Sequence, residues 1–354
     1  MSNAFFQRLL ESVSPSGLER EVINVVRDEL EGIGEPSEDC MGNLFIKIGN
    51  GTKAPVVVMA HGDEVGFQVC HLHDAGFISL RRLGRLDTHT MPGSEIVILS
   101  ENKRIFGVLG KLPPHVQPDT DRDRILQDED LWLDIGAGNK SEAERWVRIG
   151  DYATVRPNYH AFEGGRRFYS KGLDNKISVF ALSEAIKRIP QGMECKHPIV
   201  AAITTQEEIG GRGAIACVSR FNPAAVLVID VGIASDFPSM NKHEFGDLAL
   251  GKGPGFSQNA DNCPGLVKYS KRISQENGIH FQESIGFRPT GGTEAGKIRQ
   301  LCGGIPVMTV SIPIRNLHSA VEIGDWIDVE QTISFLEKVL LALSAEENIP
   351  QSPW

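Results

Sequence analysis

The sequence predicts an α/β fold, a mostly parallel sheet flanked by helices, with an inserted β-rich second domain. Three features of the chain predict it. Continuous apolar runs at residues 55–60, 199–204, 225–229 and 306–311 read as strands buried on both faces. From Gly172 onward such runs alternate with stretches of helical periodicity, the pattern of parallel strands joined by helices. Between about 68 and 163 the character changes to short runs punctuated by turn residues, which reads as a separate β-rich insert.

Residues 4–34 read as a helical start. Phe5, Leu9, Leu10 and Val13 precede a Ser14-Pro15-Ser16-Gly17 break, after which Val22, Val25, Val26 and Leu30 share one helical face. Strands follow at 43–48 and 55–60. The insert contains short candidate strands at 95–99, 105–108 and 152–155, the Leu112-Pro113-Pro114-His115 turn and a polar stretch at 117–130. Residues 175–189 carry apolar positions at helical spacing, and 327–343 form a long amphipathic closing helix. One α/β domain is therefore expected from residues 1–67 plus 164–354, interrupted by a β-rich domain at 68–163.

The bulk numbers narrow the functions. The chain has 354 residues, 41% hydrophobic and 23% charged, enough for a sizeable core. Its formal charge of -10 is dispersed, which excludes a nucleic-acid binder, because phosphate contacts need clustered Lys and Arg. The densest basic patch, Arg81-Arg82-Leu83-Gly84-Arg85, is short and reads as a solvated face. No apolar run approaches the ~18–20 residues of a membrane span. Residues 1–34 lack the layout of a secretion signal, so a cytoplasmic protein is expected. Cys40, Cys70, Cys195, Cys217, Cys263 and Cys302 are scattered without a C-x-x-C pair, which predicts reduced, mostly buried thiols.

Polar residues that follow the buried strands carry the chemistry. His61-Gly62-Asp63-Glu64 follow the run at 55–60, Thr205-Gln206-Glu207-Glu208 follow 199–204, Asp230 follows 225–229, and His318 lies beyond the run at 306–313. Asp174 immediately precedes a helix. In a parallel sheet the C-terminal strand ends share one crevice, where ligands bind. His61, Asp174, Glu208, Asp230 and His318 are thus expected on one rim. Two imidazoles and three carboxylates suit zinc, cobalt or manganese. Five ligands exceed one tetrahedral ion, whereas a bridging carboxylate would give each of two ions three protein ligands and an open position. Adjacent residues leaving a strand point different ways, so one of Glu207 and Glu208 can ligate while the other serves as general base. Asp63 is placed to accept the free ring N–H of His61 and fix its tautomer. His71 and His73 have same-face spacing but no carboxylate partners and read as ordinary polar residues.

The motifs resemble the M42 family of metallo-aminopeptidases over nearly the whole chain, in order. Ala60-His61-Gly62-Asp63-Glu64-Val65-Gly66-Phe67 is similar to the family's histidine motif, Gly172-Leu173-Asp174-Asn175-Lys176 to its bridging-aspartate motif, and Gln206-Glu207-Glu208-Ile209-Gly210-Gly211-Arg212-Gly213-Ala214 to its Glu-Glu motif. Ile229-Asp230-Val231, Gly251-Lys252-Gly253-Pro254-Gly255 and His318-Ser319-Ala320-Val321-Glu322 complete the set. The resemblance implies a di-metal exopeptidase-like fold and a cytoplasmic enzyme carrying two divalent ions, most readily Zn2+, with Co2+ or Mn2+ as alternatives. It implies that Asp174 bridges, that His61 and Asp230 complete one site, that Glu208 and His318 complete the other, and that Glu207 is the general base. It implies that the insert is a dimerisation domain, and that copies assemble as dimers up to dodecamers that trim unblocked peptides through a water held between two metal ions. The family often has Asp-Asp-Arg where this chain has Asp174-Asn175-Lys176, and Gly-Thr-Asp where it has Gly292-Thr293-Glu294; both departures bear on substrate preference and local packing.

Three rival functions give different expectations. A deacylase or carboxypeptidase-like enzyme would use the same ions on blocked substrates. A glycosidase needs two carboxyls facing one another across ~5–9.5 Å and leaves histidine ligands without a task. A non-catalytic assembly protein would have a damaged metal set, and here the set is intact.

Overall fold

A computed structural model describes residues 4–101, 103–118, 124–286, 290 and 292–351. Residues 119–123 of the polar stretch in the insert lie outside the described residues. The chain begins with α1 (Ala4–Glu11) and α2 (Arg20–Glu29), then β1 (Glu35–Glu38), β2 (Leu44–Ile48) and β3 (Val56–His61). It continues through β4 (Gly66–Leu72), β5 (Ile78–Leu83), β6 (Glu95–Ser100), β7 (Lys103–Lys111), β8 (Leu131–Asp134), α3 (Lys140–Ala143) and β9 (Tyr152–Val155). A short hairpin, β10 (His160–Ala161) and β11 (Arg167–Ser170), leads into α4 (Leu173–Lys187), β12 (Ile199–Thr204), α5 (Arg212–Phe221) and β13 (Ala225–Ile233). The remainder is α6 (Lys242–Phe245), β14 (Gly255–Ser257), α7 (Pro264–Glu276), β15 (Gln282–Ser284), α8 (Ala295–Ile298), β16 (Val307–Ile314), β17 (Glu322–Asp325) and α9 (Trp326–Ala345).

The main sheet has eight strands in the order β1-β2-β12-β3-β13-β16-β14-β15. Its four central strands, β12, β3, β13 and β16, are parallel. Helices cover both faces, so β3 is apolar from Val56 to Ala60. Val56, Val58 and Ala60 face the core that includes α1, α2, α4 and α9, while Val57 and Met59 face the core beneath α5 and α8. The alternation follows from the two-residue period of a strand.

Strands β4, β5, β8, β7, β6 and β9 close into a barrel with its own core, including Phe67, Ile78, Ile96, Ile98, Leu109 and Leu133. The chain enters at β4 and leaves at β9, and these two strands pair. β10 belongs instead to a three-stranded sheet, β10-β11-β17, in which β11 pairs with the late strand β17.

The sheet divides at the rim where the candidate residues sit. β3 stays paired with β12 as far as Thr204↔His61, but with β13 only as far as Val228↔Met59. β13 continues along β16 to Ile233↔Ile314. β12 and β13 flank β3 on opposite sides, so the order reverses here, and such a reversal opens a crevice at the carboxyl ends. The Asn175 side chain donates to the Ile229 carbonyl at 2.9 Å, just past the last β3–β13 pair.

Two expectations need correction. β13 does not end before Asp230 but runs through it, because pairing with β16 sustains the strand after β3 has left. The thiols are not mostly buried: Cys217 and Cys263 are, Cys195 is half-buried, and Cys40, Cys70 and Cys302 are exposed. No disulfide is present among the described residues.

The N-terminal helix is locked to the sheet by aromatic packing. The Phe6 ring lies 5.3 Å from Phe168, 5.0 Å from Phe180 and 5.0 Å from Trp326, joining α1 to β11, α4 and α9. Phe6 is fully buried. Phe6→Ala is expected to remove about 3–5 kcal/mol of stability, the range for deleting a buried ring. Urea denaturation followed by far-UV circular dichroism checks this, and an unchanged midpoint would contradict the packing.

Candidate metal centre

Each candidate residue is placed by a different element. His61 ends β3, Asp230 lies within β13, and Asp174 sits in the first turn of α4. Glu207 and Glu208 follow β12 in a tight turn, where Gln206 takes φ 58°. The turn packs closely because Gly213, one residue into α5, leaves no room for more: a Cβ there would fall 2.4 Å from the Thr205 carbonyl oxygen. His318 follows β16 in a loop in which Asn316 and His318 have φ near 60°.

The fold brings the five candidate ligands together in two overlapping groups: His61, Asp174 and Asp230, and Asp174, Glu208 and His318. The His61 Nε2 lies 3.2 Å from Asp174 Oδ1 and 3.5 Å from Asp230 Oδ1. The His318 Nε2 lies 3.2 Å from Asp174 Oδ2 and 3.3 Å from Glu208 Oε1. Asp174 thus turns one oxygen to each group. Two ligands held ~2.0–2.2 Å from a tetrahedral ion are themselves about 3.3–3.6 Å apart, so the spacing suits a shared cation.

The tautomers strengthen this fit. His61 Nδ1 is 3.0 Å from the Asp63 carbonyl oxygen, and His318 Nδ1 is 2.9 Å from the Arg85 carbonyl oxygen. A carbonyl can only accept, so both Nδ1 atoms carry the hydrogen, and whenever the ring is neutral its Nε2 lone pair faces carboxylates. Such a contact is repulsive unless a proton or a metal ion lies between. Asp174 Oδ1 and Glu208 Oε1 are buried and accept no hydrogen bond of normal geometry, as ligand atoms facing an ion would.

The electrostatics have the same sense. Burial alone would lower His318, but Asp174 and Glu208 push it up to about 12, and Asp174, Asp230 and Asp63 likewise hold His61 well above the usual range against its burial. Burial raises Glu208 to about 7, helped by the Asp174 charge. Burial, with Asp230, Glu208 and Glu294 beside it, holds Glu207 well above the ordinary carboxylate range despite His61. The cluster therefore has an excess of negative charge that divalent cations would neutralise.

Asp63 faces the His61 ring as expected, but it does more than that. Its carboxylate is 3.4 Å from His61 Nδ1, which bonds the Asp63 backbone carbonyl instead. The carboxylate accepts from the backbone N–H of Glu207 at 2.9 Å, from that of Glu208 at 3.1 Å, and from the Ser16 hydroxyl at 2.6 Å. It thereby fixes the Glu-Glu turn. The reason is geometric: two residues past a strand end, the backbone oxygen reaches the ring first.

The two departures from the family pattern also find partners. Lys176 is fully buried and donates to the Ser12 carbonyl at 2.8 Å and to Glu64 Oε1 at 2.9 Å; Lys171 donates to Glu64 at 2.5 Å. Burial pushes Lys171 down to about 7, while Lys171 and Lys176 draw Glu64 down to about 2 against its own burial. Glu294 accepts from the Thr204 hydroxyl at 3.0 Å, and its other oxygen is buried without a partner. Both the glutamate–lysine knot and the Arg85 carbonyl were missed in the sequence, since nothing local marks them. The His71 and His73 rings meet edge to face at 4.8 Å on the barrel, outside both groups.

The centre opens into a cleft of about 890 Å³ whose walls include Arg85, Met240, Phe245, Asn262 and Lys297. Comparison with known proteins places this arrangement. The lysyl aminopeptidase of Pyrococcus furiosus is 29% identical over 350 residues, covering 97% of this chain and 98% of that protein. The crystal structure of TET aminopeptidase from the marine sediment archaeon Thaumarchaeota archaeon SCGC AB-539-E09 superposes with a TM-score of 0.90 at 29% identity, covering 98% of this chain and 96% of that one. The TET1 peptidase of Pyrococcus horikoshii, which can assemble into a tetrahedron or a large octahedral shell, superposes with a TM-score of 0.83 at 28% identity over 97% of this chain and 98% of that one. The family model described as M42 glutamyl aminopeptidase matches residues 42–335, and with most of its length inside that match the chain belongs to the M42 peptidase family.

Proposed function

We propose that this M42 aminopeptidase removes the N-terminal residue from unblocked peptides at two cation sites that share Asp174. The observation that carries this reading is the orientation of Asp174, one oxygen toward His61 and the other toward His318. His61, Asp174 and Asp230 would hold one ion, and Asp174, Glu208 and His318 the other. The mixed nitrogen and oxygen donors suit Zn2+, with Co2+ or Mn2+ as substitutes. The chemistry such a pair supplies is polarisation of the scissile carbonyl and acidification of water.

The chain's own groups do the rest. Glu207, turned into the cleft beside Glu208, takes the proton of the attacking water and returns it to the leaving amine. Asp63 holds both glutamates by their backbone, so that one ligates while the other shuttles. The free α-amine is held among the acidic groups of the cleft, so chain ends rather than interiors are cut. The enzyme works in the cytoplasm, where thiols as exposed as Cys40, Cys70 and Cys302 stay reduced.

The barrel serves as the subunit contact of a homo-oligomer, a dimer or a larger shell up to a dodecamer. Phe106 and Val108, two residues apart on β7 and so on one face of the strand, are 53% and 50% exposed, which supports a contact there.

Two experiments test these readings. Glu207→Gln keeps size but cannot accept a proton, so two ions should remain bound while turnover falls ~10²–10⁴-fold. Glu208→Gln should lose metal affinity first, and added metal should partly restore its rate, which no amount of metal does for Glu207→Gln. A metal titration of both variants decides, and near-normal activity in both would overturn the assignment. The second experiment is sedimentation velocity at micromolar concentration. The native protein should run as an oligomer and Phe106→Glu should shift it toward monomer; a native monomer would remove the barrel contact.

A further inference from the structure

Glu322 lies outside the candidate ligand set, at the start of β17, and is 1% exposed. Its two oxygens are used separately. Oε2 accepts from the backbone N–H of Asp174 at 3.0 Å, and Oε1 accepts from the backbone N–H of His318 at 2.9 Å. One buried carboxylate therefore ties together the two segments that carry Asp174 and His318, which are far apart in the chain.

Its own position is fixed from three directions. β17 pairs with β11 so that Glu322 lies opposite Ser170, four residues before Asp174. Arg315 and Ile323 exchange backbone hydrogen bonds at 3.0 and 3.1 Å, closing the loop that carries His318 at its base. On the far side, the His318 carbonyl accepts from the Asp87 N–H at 3.0 Å, and its ring N–H is held by the Arg85 carbonyl. His318 is thus gripped above by the barrel and below by Glu322.

We propose that Glu322 is a positioning residue of the metal centre, setting the separation of the Asp174 and His318 backbones so that Asp174 Oδ2 and His318 Nε2 fall on one ion. The inference rests on the two-cation reading. It follows from the geometry: the two tethered N–H groups meet different oxygens of the carboxylate, so a side chain in this place needs an acceptor atom at both positions. A glutamine has one acceptor, and its NH2 would face one of the two N–H groups. That segment would then move, and with it one ligand. Loss of a group that orients a ligand typically costs ~10–100-fold in metal affinity.

The test is a Zn2+ titration of protein stripped by chelation, followed by a competing indicator, with thermal melts of the stripped and loaded forms. The native chain should take two ions. In Glu322→Gln one of the two ions should lose ~10–100-fold in affinity while the other changes less, and the rise in Tm on loading should shrink, because stabilisation by a ligand follows its affinity. A purely structural role predicts something else: stripped and loaded forms destabilised alike, with both affinities unchanged. That result would overturn the inference. If Glu322→Gln does not fold, Glu322→Asp keeps both acceptors on a shorter stem and should weaken the same ion by less; unchanged affinity there would also overturn it. A native chain that takes fewer than two ions would instead refute the two-cation reading itself.

Discussion

Negative charge in excess of its positive partners is the constraint on which the rest depends. Asp174, Glu207, Glu208 and Asp230 all line one cleft, and the two histidines among them have committed their Nδ1 hydrogens to backbone carbonyls. Lys171 and Lys176 give no relief, because both point into the Glu64 knot. Burying unpaired charge is expensive, and a carboxylate cluster answers by taking up protons or cations. With Nε2 lone pairs facing carboxylate oxygens at 3.2–3.5 Å, the arrangement is shaped for cations.

Holding such a cluster together requires attachment away from the charged atoms. The chain uses backbone donors for this. Asp63, next to the end of β3, takes the N–H groups of Glu207 and Glu208, and Glu322 takes those of Asp174 and His318. Each accepts two backbone hydrogen bonds that favour its charged form, although burial and the Asp174 charge still push Glu322 up to about 8, and each fixes two segments whose side chains crowd one site. The divided sheet makes room for this: β13 leaves β3 after Met59, and Asn175 satisfies the Ile229 carbonyl just beyond the last pair.

Much of this was legible in the sequence, and the division between legible and illegible is physical. Strands buried on both faces announce themselves as unbroken apolar runs, so β3, β12, β13 and β16 were readable, and with them the crevice where His61, Glu208, Asp230 and His318 gather. The short strands toward the two ends of the sheet were not. β1 reads Glu-Pro-Ser-Glu, and β14 and β15 are three residues each, too short for a period to show. The end of β13 was misjudged because a polar residue was taken as a terminator, whereas pairing with β16 carries the strand through Asp230. Asp63 was recognised as a partner of the His61 ring, but its nearer backbone carbonyl and its hold on the Glu207 and Glu208 backbone were not foreseen, since both depend on how the chain turns after β3. Lys176 and Asn175 read only as departures from a pattern, because their partners lie at Ser12, Glu64 and Ile229.

The barrel shows why such distant contacts matter for the chemistry. It has a core of its own and joins the sheet through β4 and β9, so it has the anatomy of an independent unit. Yet the loop after β5 reaches back into the centre. Gly84 sits where a Cβ would come within 3.3 Å of Glu208 Cβ, the Arg85 carbonyl takes the His318 ring N–H, and Asp87 donates to the His318 backbone. A histidine ligand needs its other nitrogen engaged, so that the ring cannot turn and the lone pair stays aimed. For His61 that partner is two residues away in the same segment; for His318 it comes from the barrel. The two halves of the centre are therefore not equivalent. The His61 half is completed within the α/β domain, while the His318 half depends on how the barrel is seated, so a displacement of the barrel would be felt first at the Asp174–Glu208–His318 group.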